Sequence, residues 1–213
     1  MQLYNFCLSS TSYRVRIALS LKGVDYEYVG VNLRAAEQHS ESFLELNPSK
    51  GVPFLITDEG DSISQSLAIL QYLEDRFPKP ALLPAYPLAQ ARVLELCNLI
   101  ACDIHPVNNL RILSYLQSEL GVSDLQKDQW YKHWIAEGLS AVESHLKRYG
   151  TGLFCFGEQP TLADVCLIPQ VTNALRFNCD TTAYPRAMAI FEHCVSLPAF
   201  ERAAAENQPD RVS

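Results

Sequence analysis

The 213-residue chain lacks any excess of positive charge. Its 24 acidic residues outnumber 17 basic ones, for a formal net charge of −7. The basic footprint that a phosphate backbone requires is missing, which argues against nucleic acid as a partner. No apolar stretch approaches the roughly 18 uninterrupted residues of a membrane-spanning helix. Met1 leads into strand-like sequence without a basic n-region or an apolar h-region, so neither an export nor a membrane signal is read. The seven cysteines, Cys7, Cys97, Cys102, Cys155, Cys166, Cys179 and Cys194, are odd in number, form no CxxC pair and mostly lie in apolar runs such as DVCLIP. They read as reduced core thiols of a cytoplasmic protein, not as a disulfide framework. Walker and dinucleotide glycine motifs are absent, with YGTGLFCFG reading as a loop, and there is no internal repeat, low-complexity tract or Ser-His-Asp order. Cys97, Cys102 and His105 lack the spacing and polar setting of a metal site, and His133 and His145 have no ligand partners nearby, so no metal is expected.

What is present is enough apolar sequence, 48%, to bury a substantial core. The first eighty residues alternate in type. MQLYNF and DYEYVGVNL are strand-like, and between them SYRVRIALSLKG is helical with Gly23 as its stop, which predicts a β-α-β unit with parallel strands. SESFLELNP is a short helix closed by Asn47 and Pro48, GVPFLITDEGDSIS is two strands around Glu59 and Gly60, and QSLAILQYLEDRF is a helix ending before Pro78. The order is βαβ then αββα. FPKPALLPAYP, with four prolines in eleven residues, reads as a linker. Helices dominate beyond it. Tyr131, Trp134, Ile135, Gly138, Leu139, Val142 and Leu146 recur at three-and-four spacing, and Thr161 with Asp164 forms a capping box.

Three places hold chemistry. Ser9, Ser10 and Thr11 stand between the first strand and the first helix. One hydroxyl there is an ordinary N-cap, worth about 1 kcal/mol. Three at the carboxyl end of a strand also suit an anion held by a helix N-terminus. Arg14 and Arg16 follow, either reinforcing the positive potential or lying solvated on the surface. Next, Val52 precedes Pro53 at the head of a strand; Pro53 either starts that strand or sits in a cis peptide that exposes the Val52 backbone to an extended, peptide-like ligand. Finally, Ser64 or Gln65 caps the following helix, and Gln65 with Ser66 offers amide and hydroxyl groups suited to a carboxylate.

NPSKGVPFL and SQSLAILQYLEDRFP resemble the cis-proline and QS elements of glutathione transferases. The SSTSYRVRIALSLKGVDYEYVGVNL opening is similar to the zeta class, which includes the maleylacetoacetate isomerases. DIHPVNNLRIL, TLADVCLIPQVTNALRF and Tyr184-Pro185 extend the likeness over nearly the whole chain. The resemblance implies an α/β thioredoxin-like glutathione-binding domain over residues 1–80 and an all-α helical substrate-binding domain over 88–213. It also implies a homodimer, with glutathione as cofactor.

On that resemblance Ser9 would donate to the glutathione sulfur, with Ser10 and Thr11 beside it and Ser12, Tyr13 and Arg14 completing the cofactor-binding motif. Val52 would hold the cysteinyl part, Gln65 and Ser66 the γ-glutamyl carboxylate, and Gln38 would touch the cofactor. His105, Asn109, Leu110 and Arg111 would close the site, and Arg111 and Arg176 would hold the carboxylates of a dicarboxylate substrate. The implied reaction is conversion of maleylacetoacetate to fumarylacetoacetate in tyrosine and phenylalanine breakdown. The alternatives are maleylpyruvate isomerisation, glutathione transfer to α-halo acids, and a non-catalytic binding protein on the same scaffold. The chain departs from the class pattern twice: Thr11 stands where cysteine is common, as it does in bacterial maleylpyruvate isomerases, and Leu8 where the isomerases commonly carry arginine.

Overall fold

The computed structural model describes residues 1–211 and divides the chain into two units. The first holds residues 1–82 together with the C-terminal stretch from Val195; the second holds residues 83–194.

In the first unit, β1 (Gln2–Asn5), α1 (Ser10–Lys22) and β2 (Glu27–Gly30) form the β-α-β element, with β1 and β2 parallel. After α2 (Glu41–Leu46), β3 (Phe54–Ile56) runs antiparallel to β1 and pairs with β4 (Ser62–Ser64), giving the sheet order β2-β1-β3-β4. The unit continues into α3 (Ser66–Arg76). Gly23 ends α1 as expected, in the left-handed conformation at φ 63°, with its N–H returned to the last turn. The core is Leu3, Val15, Ile17, Leu19, Leu55, Ile69 and Leu73, all with no exposed surface. Tyr4 and Phe43, the latter from α2, each pack edge-on against Phe54 and meet each other at a tilt.

α1 is buried on every side, because α3 and α9 (Pro198–Ala203) both pack on it. That corrects one alternative above: neither Arg14 nor Arg16 is a surface arginine, each being 1% exposed. It also departs from the expectation of a helical domain running to residue 213. The stretch from Val195 belongs to the sheet unit, since Phe200 is fully buried there and its carbonyl accepts the Tyr13 hydroxyl at 3.3 Å.

The second unit contains α4 (Pro87–Asn98), a π-helical stretch Leu99–Ile104, a 3-10 turn His105–Asn108, α5 (Leu110–Ser118), α6 (Asp124–Tyr149), α7 (Leu162–Arg176) and most of α8 (Pro185–Val195). α6 buries the predicted stripe: Tyr131, Ile135, Leu139, Val142 and Leu146. At Gly138 a Cβ would stand 2.3 Å from Ile104, so this turn of α6 must be glycine. Asp164 accepts the Thr161 N–H at 2.7 Å and reaches beyond it to the Cys155 N–H, also at 2.7 Å, tying the 151–157 loop to the start of α7. Six of the seven cysteines are buried; Cys102 is exposed, contrary to a purely core reading. No metal-binding cluster and no helix long and apolar enough to cross a membrane occur among the described residues.

Candidate active site

Ser9 is extended, at φ −75° and ψ 117°, and caps α1 by accepting the Ser12 N–H on Oγ at 3.2 Å. The same Oγ lies 2.9 Å from Thr11 Oγ1, and Thr11 Oγ1 donates to the carbonyl oxygen of Val52 at 2.9 Å. Each hydroxyl has one hydrogen. With the Thr11 hydrogen given to Val52, the Ser9 hydrogen must point to Thr11, so a directed relay runs Ser9 → Thr11 → Val52. The hydroxyl cluster and the loop before Pro53, separate in the sequence, are thus one assembly. Ser10, Ser12 and Tyr13 face inward: they are buried, and Tyr13 donates to Phe200.

The Val52-Pro53 peptide is cis, the sharper of the two readings above, and Lys79-Pro80 is cis as well. The loop leading into Val52 is shaped by Asn47, whose amide donates to the Gly51 carbonyl at 2.8 Å and whose oxygen accepts the Ser49 N–H at 3.2 Å.

Gln65 precedes α3 at φ 72° and ψ 119°, a conformation that a side-chain-bearing residue adopts at a cost and that recurs at functional sites. Its side chain does not cap the helix. Ser66, buried at the first position of α3, accepts a hydrogen bond from Arg14 Nη1 at 3.2 Å. Nε and Nη2 of the same guanidinium are buried without a partner among the described residues. A buried cation with two unsatisfied N–H groups is costly unless an acceptor arrives. Beside a helix N-terminus the acceptor that fits is an anion, and a carboxylate matches the fork. Gln38 lies in a short 3-10 turn, Glu37–His39, with its Oε1 buried and unpartnered among the described residues.

Arg16 points the other way. It donates to the carbonyls of Phe6, Cys7 and Ala203 and to Asn5 Oδ1, at 2.9 to 3.2 Å. Burial pulls its pKa down, and the nearby tyrosines and Asp210 work against that. Asp210 was not legible as a site residue. Its carboxylate accepts the Cys7 N–H at 3.0 Å and the Tyr28 hydroxyl at 2.5 Å. No local sequence signal marks it, because its partner Cys7 is 203 positions away. Burial, and then Asp210, raise the pKa of the Cys7 thiol.

In the second unit the expected residues cluster where α5 begins. Asn109 caps α5, its Oδ1 accepting the Arg111 N–H at 3.1 Å, which turns its Nδ2 toward His105 Nε2, 3.1 Å away. The amide can only donate, so this contact holds the imidazole with Nε2 facing Asn109. The π-helical stretch just before His105 is a form that recurs at functional sites. Trp130 of α6 donates to Val107 at 2.8 Å and fixes the turn. Leu110 and Arg111 are exposed. Arg176, at the end of α7, has different neighbours: its Nη2 donates to Asn173 at 2.8 Å and its guanidinium lies over Phe177, which stacks on Tyr131.

The family model for the glutathione S-transferase N-terminal domain matches residues 3–81, and that for the C-terminal domain matches residues 127–193. A protein named probable maleylacetoacetate isomerase from Vibrio cholerae is 47% identical over 210 residues, 98% of this chain and 97% of its own. Among solved structures, holo maleylpyruvate isomerase, described as a bacterial glutathione S-transferase in the zeta class, superposes with a TM-score of 0.96 at 45% identity over the whole of both chains. Maleylacetoacetate isomerase from Methylobacterium extorquens, with bound malonate and glutathione, gives a TM-score of 0.96 at 37% identity, again over both whole chains.

Proposed function

Because the chain belongs to the zeta class of the glutathione S-transferase family, we propose that it is a glutathione-dependent cis-trans isomerase that converts maleylacetoacetate to fumarylacetoacetate. The observation that carries this reading is the buried Arg14 guanidinium behind Ser66, with two N–H groups awaiting an anion at the N-terminus of α3. The γ-glutamyl carboxylate of glutathione supplies that anion, received by Ser66, Gln65 and Arg14. The Val52 backbone, next to a cis proline, takes the cysteinyl part, and Gln38 contributes a further polar contact.

When bound, glutathione would supply a thiolate nucleophile for reversible addition to the conjugated double bond, the C–S bond breaking again as the trans alkene forms, so that the cofactor is not consumed. Ser9 holds the thiolate by turning its hydrogen from Thr11 toward sulfur, aided by the positive end of α1. Thr11 keeps its bond to Val52. Arg111 and Arg176 hold the substrate carboxylates and stabilise enolate charge, for which a guanidinium fork is suited. His105, Asn109 and Leu110 line the second-substrate side. On the same reading the protein works in the cytoplasm, as a homodimer, in tyrosine breakdown.

A second reading, maleylpyruvate isomerisation, is favoured by the whole-chain likeness to a maleylpyruvate isomerase; Thr11 decides for neither substrate. Leu8 makes glutathione transfer to α-halo acids a third. Incubation with glutathione and each substrate separates them. Isomerisation of one cis-enedione in preference to the other, with free thiol unchanged, selects the isomerase, whereas loss of thiol with release of halide selects transfer. Absence of glutathione binding refutes all three.

A further inference from the structure

We propose that the C-terminal tail is a working part of the sulfur-binding loop, with Asp210 as the positioning residue that fixes the Cys7–Ser9 turn from which the Ser9 hydroxyl is aimed. The inference rests on the glutathione reading of Ser9.

The turn Phe6–Ser9 joins β1 to α1 and is too short to hold itself. Within it the Ser9 N–H donates to the Phe6 carbonyl at 2.9 Å. Two side chains from elsewhere hold the rest. Arg16 takes the Phe6 and Cys7 carbonyls, at 3.2 and 2.9 Å. Asp210 takes the Cys7 N–H, at 3.0 Å. Both backbone polar groups of Cys7 are therefore committed, and Cys7 is only 3% exposed, so water does not substitute easily if either partner goes.

The tail is built to deliver this carboxylate. Gln208, 8% exposed, donates to the carbonyls of Arg202 and Ala204, both at 2.8 Å, and turns the chain after α9. Arg16 Nε holds the Ala203 carbonyl at 2.9 Å, so one buried guanidinium grips the loop and the tail together. The second oxygen of Asp210 accepts the Tyr28 hydroxyl from β2, which pairs in register with β1. A tail that only covered the sheet would pack apolar side chains. This one directs a carboxylate at the backbone two residues before Ser9, where a displacement of about 1 Å can cost two orders of magnitude in rate.

The test uses the full chain carrying Asp210→Ala or Asp210→Asn. Amide hydrogen exchange over residues 6–12 is measured without glutathione, and then the thiol pKa of bound glutathione by thiolate absorbance, with kcat and KM. Asp210→Ala should speed exchange at Cys7 to Ser9 by about 10- to 100-fold, raise the bound thiol pKa, and lower kcat by about tenfold or more with an unchanged circular dichroism spectrum. Asp210→Asn keeps one acceptor oxygen and should fall between it and the native protein. Unchanged exchange in Asp210→Ala overturns the proposal. So does an equal lowering of the thiol pKa in both variants, which is what loss of the charge alone would produce. A native protein that forms no glutathione thiolate refutes the functional reading instead, and the exchange measurement still judges the tail.

Discussion

Thr11 donates its hydroxyl hydrogen to the Val52 carbonyl at 2.9 Å while standing 2.9 Å from Ser9 Oγ. The Ser9 hydrogen is consequently occupied before any thiolate arrives, and Thr11 competes for it. Thr11→Val, nearly isosteric, removes the competitor. The bound glutathione thiol pKa should then fall by about half a unit to one unit, the worth of a neutral hydrogen bond. Thiolate absorbance against pH measures it, and a rise would show that Thr11 assists Ser9.

Ser9→Ala removes the cap of α1 and, on the proposed function, the thiolate donor. The two losses separate in magnitude and in readout. The cap is worth about 1 kcal/mol and appears as a small drop in Tm. The charged hydrogen bond is worth about 1.5–3 kcal/mol and appears as a fall of about 10- to 100-fold in kcat with a raised thiol pKa. Ser9→Thr should recover most of both.

Arg14→Met tests the anion site through opposite effects on the free and bound protein. The orphaned guanidinium burdens the unliganded fold, so its replacement by an apolar chain of similar length should leave Tm unchanged or raise it. Glutathione affinity should fall by about 10- to 100-fold by calorimetry, because the carboxylate loses a charged partner. A fall in Tm with unaltered affinity would make Arg14 purely structural.

Asp164→Ala should act on stability alone. Its carboxylate satisfies the N–H groups of Cys155 and Thr161, both at 2.7 Å, and all three residues are buried. Leaving two buried donors unpaired costs about 2–6 kcal/mol. Thermal unfolding should register that as a large fall in Tm, while the thiol pKa of bound glutathione in the folded fraction stays at the native value.

The parts of this molecule legible in its sequence are those whose cause is local. The β-α-β order follows from apolar period and from Gly23, and the pairing of Thr161 with Asp164 from a spacing of three. The hydroxyl cluster was visible because its composition is unusual at a strand-to-helix junction. Its link to the loop before Pro53 was not visible, because the Thr11 partner, Val52, is 41 positions away. Arg14 and Arg16, two apart on one helix, look alike in sequence, and only tertiary packing sends one to Ser66 and the other to the turn after β1. Asp210 lay furthest out of reach, since nothing in AENQPD foretells an acceptor for Cys7.

The first unit is assembled from two separate stretches, residues 1–82 and the stretch from Val195, with residues 83–194 between them. During synthesis the second unit is therefore complete in sequence before the first. A nascent chain halted ahead of Val195 carries Ser9, Val52 and Ser66 already in place in sequence, but lacks α9 against α1 and the carboxylate for Cys7. On this architecture the sheet unit is begun before the second unit and finished after it, so its two stretches meet only once residues 83–194 have been made.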